Sequence, residues 1–183
     1  QLIASGYTTR SEIEGIMKVE LSGYLTKLEN DYCLISRNIP MFQKTNRNIH
    51  YQIEDNFLRI WFRYVYRYNY MLEVGANKKL KIIMDRDYTT YTGKVLERYF
   101  KEKMIESELY TNISSWWDRK GENEIDIIAA DEIEQTVCFY EVKRQAKDVV
   151  IGIVKEKAEH FFQVTGKFKK YDIEYKGLSM EDM

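Results

Sequence analysis

Hydrophobic positions recur every three to four residues through the first half of the chain and alternate singly around residues 124–143. The helical part opens with Leu2-Ile3 running into Ser5-Gly6, which reads as the tail of a helix begun further upstream, so a longer protein is expected. Thr9-Arg10-Ser11-Glu12 has the capping-box spacing ahead of Ile13, Ile16 and Met17. Leu21, Tyr24, Leu25 and Leu28 place an apolar stripe on a third helix over residues 20–31. Tyr32-Cys33-Leu34-Ile35 and His50-Tyr51-Gln52-Ile53 read as two short strands, joined through a polar loop at Thr45–Asn48. Three helices and a two-stranded wing predict a winged-helix lobe over 1–54.

Asp55 then caps a helix over residues 56–66, with Phe57, Leu58, Trp61, Phe62 and Val65 as its apolar stripe. Arg59, Arg63 and Arg67 recur every four residues along another side and are candidates for phosphate contacts. A solvated arginine face on a helix joining two domains fits the same spacing. This helix and its continuation form a connection over 55–90. A helix over residues 89–106 follows, with Tyr91, Val95, Leu96, Tyr99 and Phe100 apolar. A helix over 149–163 carries Val150, Ile153, Val154, Ala158 and Phe161, and residues 168–176 read as a last strand.

The alternating stretch holds the candidate chemistry. Two strands are predicted, Glu124–Ala129 and Val137–Lys143, around an acidic turn at Asp131–Gln135. Residues i and i+2 share a strand face, so Glu141 and Lys143 point together. Asp126 is an acid within an isoleucine-rich run, and an unpaired acid buried there would cost several kcal/mol, roughly 3–5. If the two strands pair, Asp126, Glu141 and Lys143 converge on one edge of a sheet. Two carboxylates offer hard oxygen ligands to Mg²⁺ or Mn²⁺, and a lysine beside them positions water or stabilises charge developing on phosphorus. An exposed hairpin with a surface Glu–Lys pair fits the same residues. Glu124 shares a strand face with Asp126, as an auxiliary acid or a sheet-face charge. Lys155 and Lys157 lie on the polar side of the 149–163 helix, as phosphate contacts or solvated charges.

Composition narrows the partners. Of 183 residues 44% are hydrophobic, which suits a packed core, and the net charge is −1. Residues 1–90 carry 13 basic against 10 acidic side chains and residues 91–183 carry 15 against 19, so nucleic acid would have to meet a local patch. The third helix, offered to a major groove in a DNA-binding winged helix, holds Lys27 among Glu20, Glu29 and Asp31. A packing role for that lobe therefore stands beside the DNA-binding one. Cys33 and Cys138 read as small buried hydrophobes of a reducing compartment. No apolar run approaches 18 residues, so no membrane span and a cytoplasmic location are expected. Oligomeric state is left open.

The spacing of Asp126 and Glu141-Val142-Lys143 resembles the PD-(D/E)XK nuclease superfamily. The segment Tyr51-Gln52-Ile53-Glu54-Asp55-Asn56-Phe57-Leu58-Arg59-Ile60-Trp61-Phe62-Arg63-Tyr64-Val65 is similar to the one that follows the winged helix in archaeal-type AAA/STAND ATPases, with Asn56 where that family usually has Pro. The resemblance runs from Thr9 to about Ser179. It implies a P-loop ATPase domain, a winged helix, and a carboxy-terminal α-β-β-α-β core of restriction-endonuclease-like type over 91–183, an α/β (α+β) plan overall. It also implies that Glu97, on the helix before the core sheet, joins Asp126, Glu141 and Lys143 in a catalytic site. Metal would be held by Asp126 and Glu141, and DNA would be the substrate. ATP would bind only through the ATPase domain, because the chain contains no G-x-x-x-x-G-K-[ST]. A catalytically inactive nuclease-like domain regulating that ATPase is the alternative.

Overall fold

The computed structural model describes residues 1–43 and 48–183. The expected polar loop at Thr45–Asn48 lies, except for Asn48, outside the described residues. The chain divides into two units. One comprises Gln1–Ile39 and the later chain up to Asp87, and the other Tyr88–Met183 with a short segment beginning at Pro40.

In the first unit, α1 (Arg10–Met17) opens with the expected capping box. The Thr9 side chain accepts from Glu12 N, and Glu12 Oε2 accepts from Thr9 N at 2.8 Å. α2 (Ser22–Thr26) continues through one π turn to Asp31. Strands β1 (Ile35–Asn38) and β2 (His50–Ile53) pair antiparallel. Asp55 caps α3 (Asn56–Ile60), accepting from Leu58 N at 2.7 Å, and a π turn over Trp61–Val65 leads towards α4 (Asn69–Glu73). The core gathers Ala4, Ile13, Leu21, Leu25, Ile35 and Ile53, with Leu58 and Phe62 packed on it.

Three details differ from the pattern. Cys33 is exposed with a left-handed φ of 51°, so the first strand begins at Ile35 and not at Tyr32. The cause is the helix end: Leu34 N–H reaches back to Leu28 C=O at 2.9 Å, a closure that needs a left-handed residue just before it. Phe57 and Trp61 are exposed and stack on each other at 5.8 Å, while Leu58 and Phe62 pack on the core and Tyr64 is the buried side chain of that stretch. Tyr24 also faces solvent.

Helix α5 runs Asn77–Glu106, longer than predicted, and the division between the units falls within it. The second unit then builds a four-stranded sheet in the order β3 (Asn112–Trp117), β4 (Glu124–Asp131), β5 (Thr136–Val142), β6 (Asp172–Leu178). The first three strands are antiparallel, and β6 runs parallel to β5 after a crossover through α6 (Ile151–Thr165). β3 adds a strand to the predicted order; its Asn-Ile-Ser-Ser opening lacks a clear apolar alternation.

The two middle strands, β4 and β5, are buried on both faces, while β6 is largely exposed. Leu96 and Phe100 of α5 pack on Ile127, Ala129, Cys138, Tyr140 and Val142. Val154, Ala158 and Phe161 of α6 pack on Trp116, Ile125, Ile128, Val137 and Phe139. Val150 and Ile153, expected in that stripe, are exposed: Val150 is the extended residue before the helix, and Ile153 sits off the 154–158–161 face. The architecture is a mixed α/β one. Among the described residues no helix is long and apolar enough to cross a membrane.

Candidate active site

A β-bulge sets the site. The β3–β4 register passes from Ser114↔Ile128 to Trp116↔Ile125, so Asp126 and Ile127 together oppose the single residue Ser115. A bulge bends its strand and re-aims side chains. Here it leaves Ile125 and Ile128 on the α6 face, while Ile127 joins the α5 face. Asp126 and Ile127 therefore lie on the same side of the sheet, towards α5. The Ser115 hydroxyl donates to the Asp126 carbonyl at 2.6 Å, and Lys101 of α5 donates in turn to the Ser115 oxygen. The Asp126 carboxylate is buried and accepts from Val142 N at 2.8 Å, which ties it to the middle of the Glu141-Val142-Lys143 tripeptide.

Three carboxylates meet on the α5 side. Glu97, Glu124 and Asp126 each present an oxygen, all within 4.8 Å of one another. Lys94, one turn before Glu97, reaches Glu97 Oε2 at 3.0 Å and Glu124 Oε1 at 3.1 Å. Burial, with Asp126 and Glu124 beside it, pushes Glu97 up to about 7 against the pull of Lys94. Asp126 is raised as well, by burial first and then by Glu141 and Glu124, against the Val142 N–H. Burial works against the ammonium of Lys94, yet Glu97 and Glu124 hold it above its ordinary value. Burial lowers Lys101 despite the same carboxylates.

Glu141 stands apart from this trio. Its Oε1 lies 2.5 Å from Lys143 Nζ and its Oε2 accepts from Lys157 Nζ of α6 at 2.8 Å. Burial disfavours its charge, but the two lysines win and hold it below its ordinary value. Lys143 is raised: burial opposes the charge, while Glu141, Asp126 and Glu97 favour it.

Of the residues singled out from sequence, Glu97, Asp126, Glu141 and Lys143 thus gather within one electrostatic cluster of the second unit. Lys157 pairs with Glu141 inside that cluster. Lys155 lies over the Tyr175 ring, 5.6 Å from its centroid. Arg59, Arg63 and Arg67 belong to the first unit. Arg63 grips Asp87 through Nε and Nη2 and also donates to Ala4 C=O; Arg67 lies over Tyr68; Arg59 Nη1 is 3.4 Å from Asn56 Oδ1. Sequence reasoning missed Lys94 and Lys101. Their spacing from Glu97, three before and four after, was the available signal, since such positions share a helix face.

Oxygen ligands from three carboxylates suit a hard divalent cation that keeps several waters. A cation between Glu97 and Glu124 must displace the Lys94 ammonium, whose side chain is 57% exposed.

Comparison with known proteins places the chain. Residues 61–163 match the model of DUF234, described as archaeal and bacterial proteins of unknown function, and the chain belongs to that family. It is 33% identical over 155 residues, 78% of its length, to an uncharacterized protein of Methanocaldococcus jannaschii. The match spans about a third of that curated relative, 34% of its length. No solved structure matches the chain.

Proposed function

We propose that the second unit is a metal-dependent DNA nuclease domain of PD-(D/E)XK type, carried at the carboxy-terminal side of an ATPase. The observation that carries this reading is the convergence of Glu97 from a helix with Asp126 from a bulged strand, beside Glu141 and Lys143. Glu97, Asp126 and Glu124 would hold Mg²⁺ or Mn²⁺, with Glu141 joining through an oxygen that a lysine gives up. Such an ion, when bound, activates water and neutralises charge on the phosphoryl oxygens. Lys143 then places its ammonium against the attacked phosphate, and Lys157 keeps Glu141 ionised and oriented. The first unit is read as a winged helix. The ATPase link rests on the 51–65 resemblance and on the length of the archaeal relative beyond the matched part.

One observation favours a second reading, an inactive nuclease-like domain that regulates the ATPase. Lys94, Lys143 and Lys157 already neutralise Glu97, Glu124 and Glu141. Thermal melting in Mn²⁺ separates the two. A working site should gain about 2.7 kcal/mol at a hundredfold excess of ion over its dissociation constant. Asp126→Ala and Glu97→Gln should lose that gain together with plasmid cleavage. Lys143→Ala should keep the gain and lose cleavage by ~10²–10³. No shift and no cleavage in the parent leaves the regulatory reading.

A further inference from the structure

Arg144 follows Lys143 directly, past the end of β5. Its guanidinium lies over the Tyr88 ring, 5.0 Å from the centroid. Its Nη1 is 3.4 Å from Thr89 Oγ1, at the long limit of a hydrogen bond. Its Nε is shielded from solvent and has no partner. Each of Lys94, Lys143 and Lys157 has a carboxylate; Arg144 has none among the described residues. Buried donors without partners are rare, and each asks for an explanation.

The surface beside Arg144 supplies one. Thr89, Gly93 and Glu97 follow at four-residue steps along α5 and so share a stripe. Gly93 leaves that stripe bare: a Cβ there would meet nothing within 4 Å. The helix surface is thus open at Gly93, midway between Thr89, where Arg144 rests, and Glu97, whose carboxylate Lys94 caps. At about 1.5 Å per residue the stretch from Thr89 to Glu97 is roughly 12 Å long, enough for a few steps of a nucleic-acid strand at about 3.4 Å rise each.

We propose that Arg144 is a substrate clamp, binding a backbone phosphate of the DNA strand a few nucleotides from the phosphodiester that lies at the acids. The inference rests on the nuclease reading. In the resting pose no strong polar bond holds the guanidinium, and Tyr88 supports its flat face. Turning the fork onto a phosphate satisfies Nε and an Nη together, the bidentate geometry that arginine offers and lysine lacks. Gly93 lets the sugar–phosphate chain lie against the helix.

The test is fluorescence anisotropy of a labelled single-stranded DNA oligonucleotide over a salt series, with Ca²⁺ as the divalent ion. Arg144→Gln should weaken binding about tenfold and flatten the log–log salt slope by about 0.7, one single-strand phosphate contact. Arg144→Lys should keep the slope but not the full affinity. Gly93→Leu, which favours the helix over glycine, should weaken binding by filling the open surface there. If Arg144→Gln and Gly93→Leu both bind like the parent, the clamp is wrong, and the metal-dependent melting shift still stands or falls by itself. If the parent binds no DNA, the clamp and the DNA-nuclease reading fall together.

Discussion

Lys94 Nζ sits 3.0 Å from Glu97 Oε2, one turn along the same helix, and extends to Glu124 on β4 at 3.1 Å. The ammonium thus spans two of the three carboxylates proposed to take a divalent ion, and ion and ammonium compete for the same oxygens.

Lys94→Met should therefore tighten Mn²⁺ binding. Two half-exposed ion pairs of this kind contribute about 1 kcal/mol together, so the dissociation constant should fall about fivefold. The free-ion paramagnetic resonance signal measures it directly. Equal or weaker binding by the variant would mean that Lys94 helps to organise the site instead of blocking it.

The proton on Glu97 sets a pH dependence. Burial and the acids beside it hold the carboxyl at about 7, against an ordinary 4.5. Between those values the folded state keeps a proton that the unfolded chain releases. Stability should then fall as pH rises from about 4.5 to about 7, with the full penalty standing above that range. At about 1.4 kcal/mol per pH unit the penalty is roughly 3 kcal/mol. Glu97→Gln should remove this descending limb in metal-free urea titrations and be the more stable protein near pH 8. Parallel pH profiles for the two proteins would refute the assignment.

Gly177 on β6 pairs with Glu141 on β5. A Cβ there would lie 2.2 Å from Val149 Cγ1 and 2.9 Å from Cγ2. Valine has little rotamer freedom to withdraw, so Gly177→Ala should cost about 1–3 kcal/mol by overpacking. Adding Val149→Ala should return part of that loss, a coupling read from a double-mutant cycle by urea denaturation. Additive effects would place the clash elsewhere.

The sequence by itself determined the helical first half, the Thr9 and Asp55 caps, the β4–β5 pair and the types of residue at the candidate site. These follow from local spacing: capping geometry, strand alternation, and an acid in an apolar run. The β3 strand escaped notice because Asn112-Ile113-Ser114-Ser115 lacks the alternation that marks β4 and β5. Cys33 escaped because a left-handed helix end is usually marked by glycine. Only the tertiary structure decided which acids meet. Strand periodicity alone says nothing of a bulge, and it is the two-for-one register opposite Ser115 that sets Asp126 on the same side as Ile127 and Ala129, the side that Glu97 of α5 covers. The partners of Glu141 were decided in the same way. Lys157 is fourteen residues beyond Lys143 in the chain, and only the crossover of α6 onto the sheet brings both ammonium groups to one carboxylate. Local spacing fixes what a segment can become, while the charge state of a buried group depends on neighbours that packing delivers from distant parts of the chain.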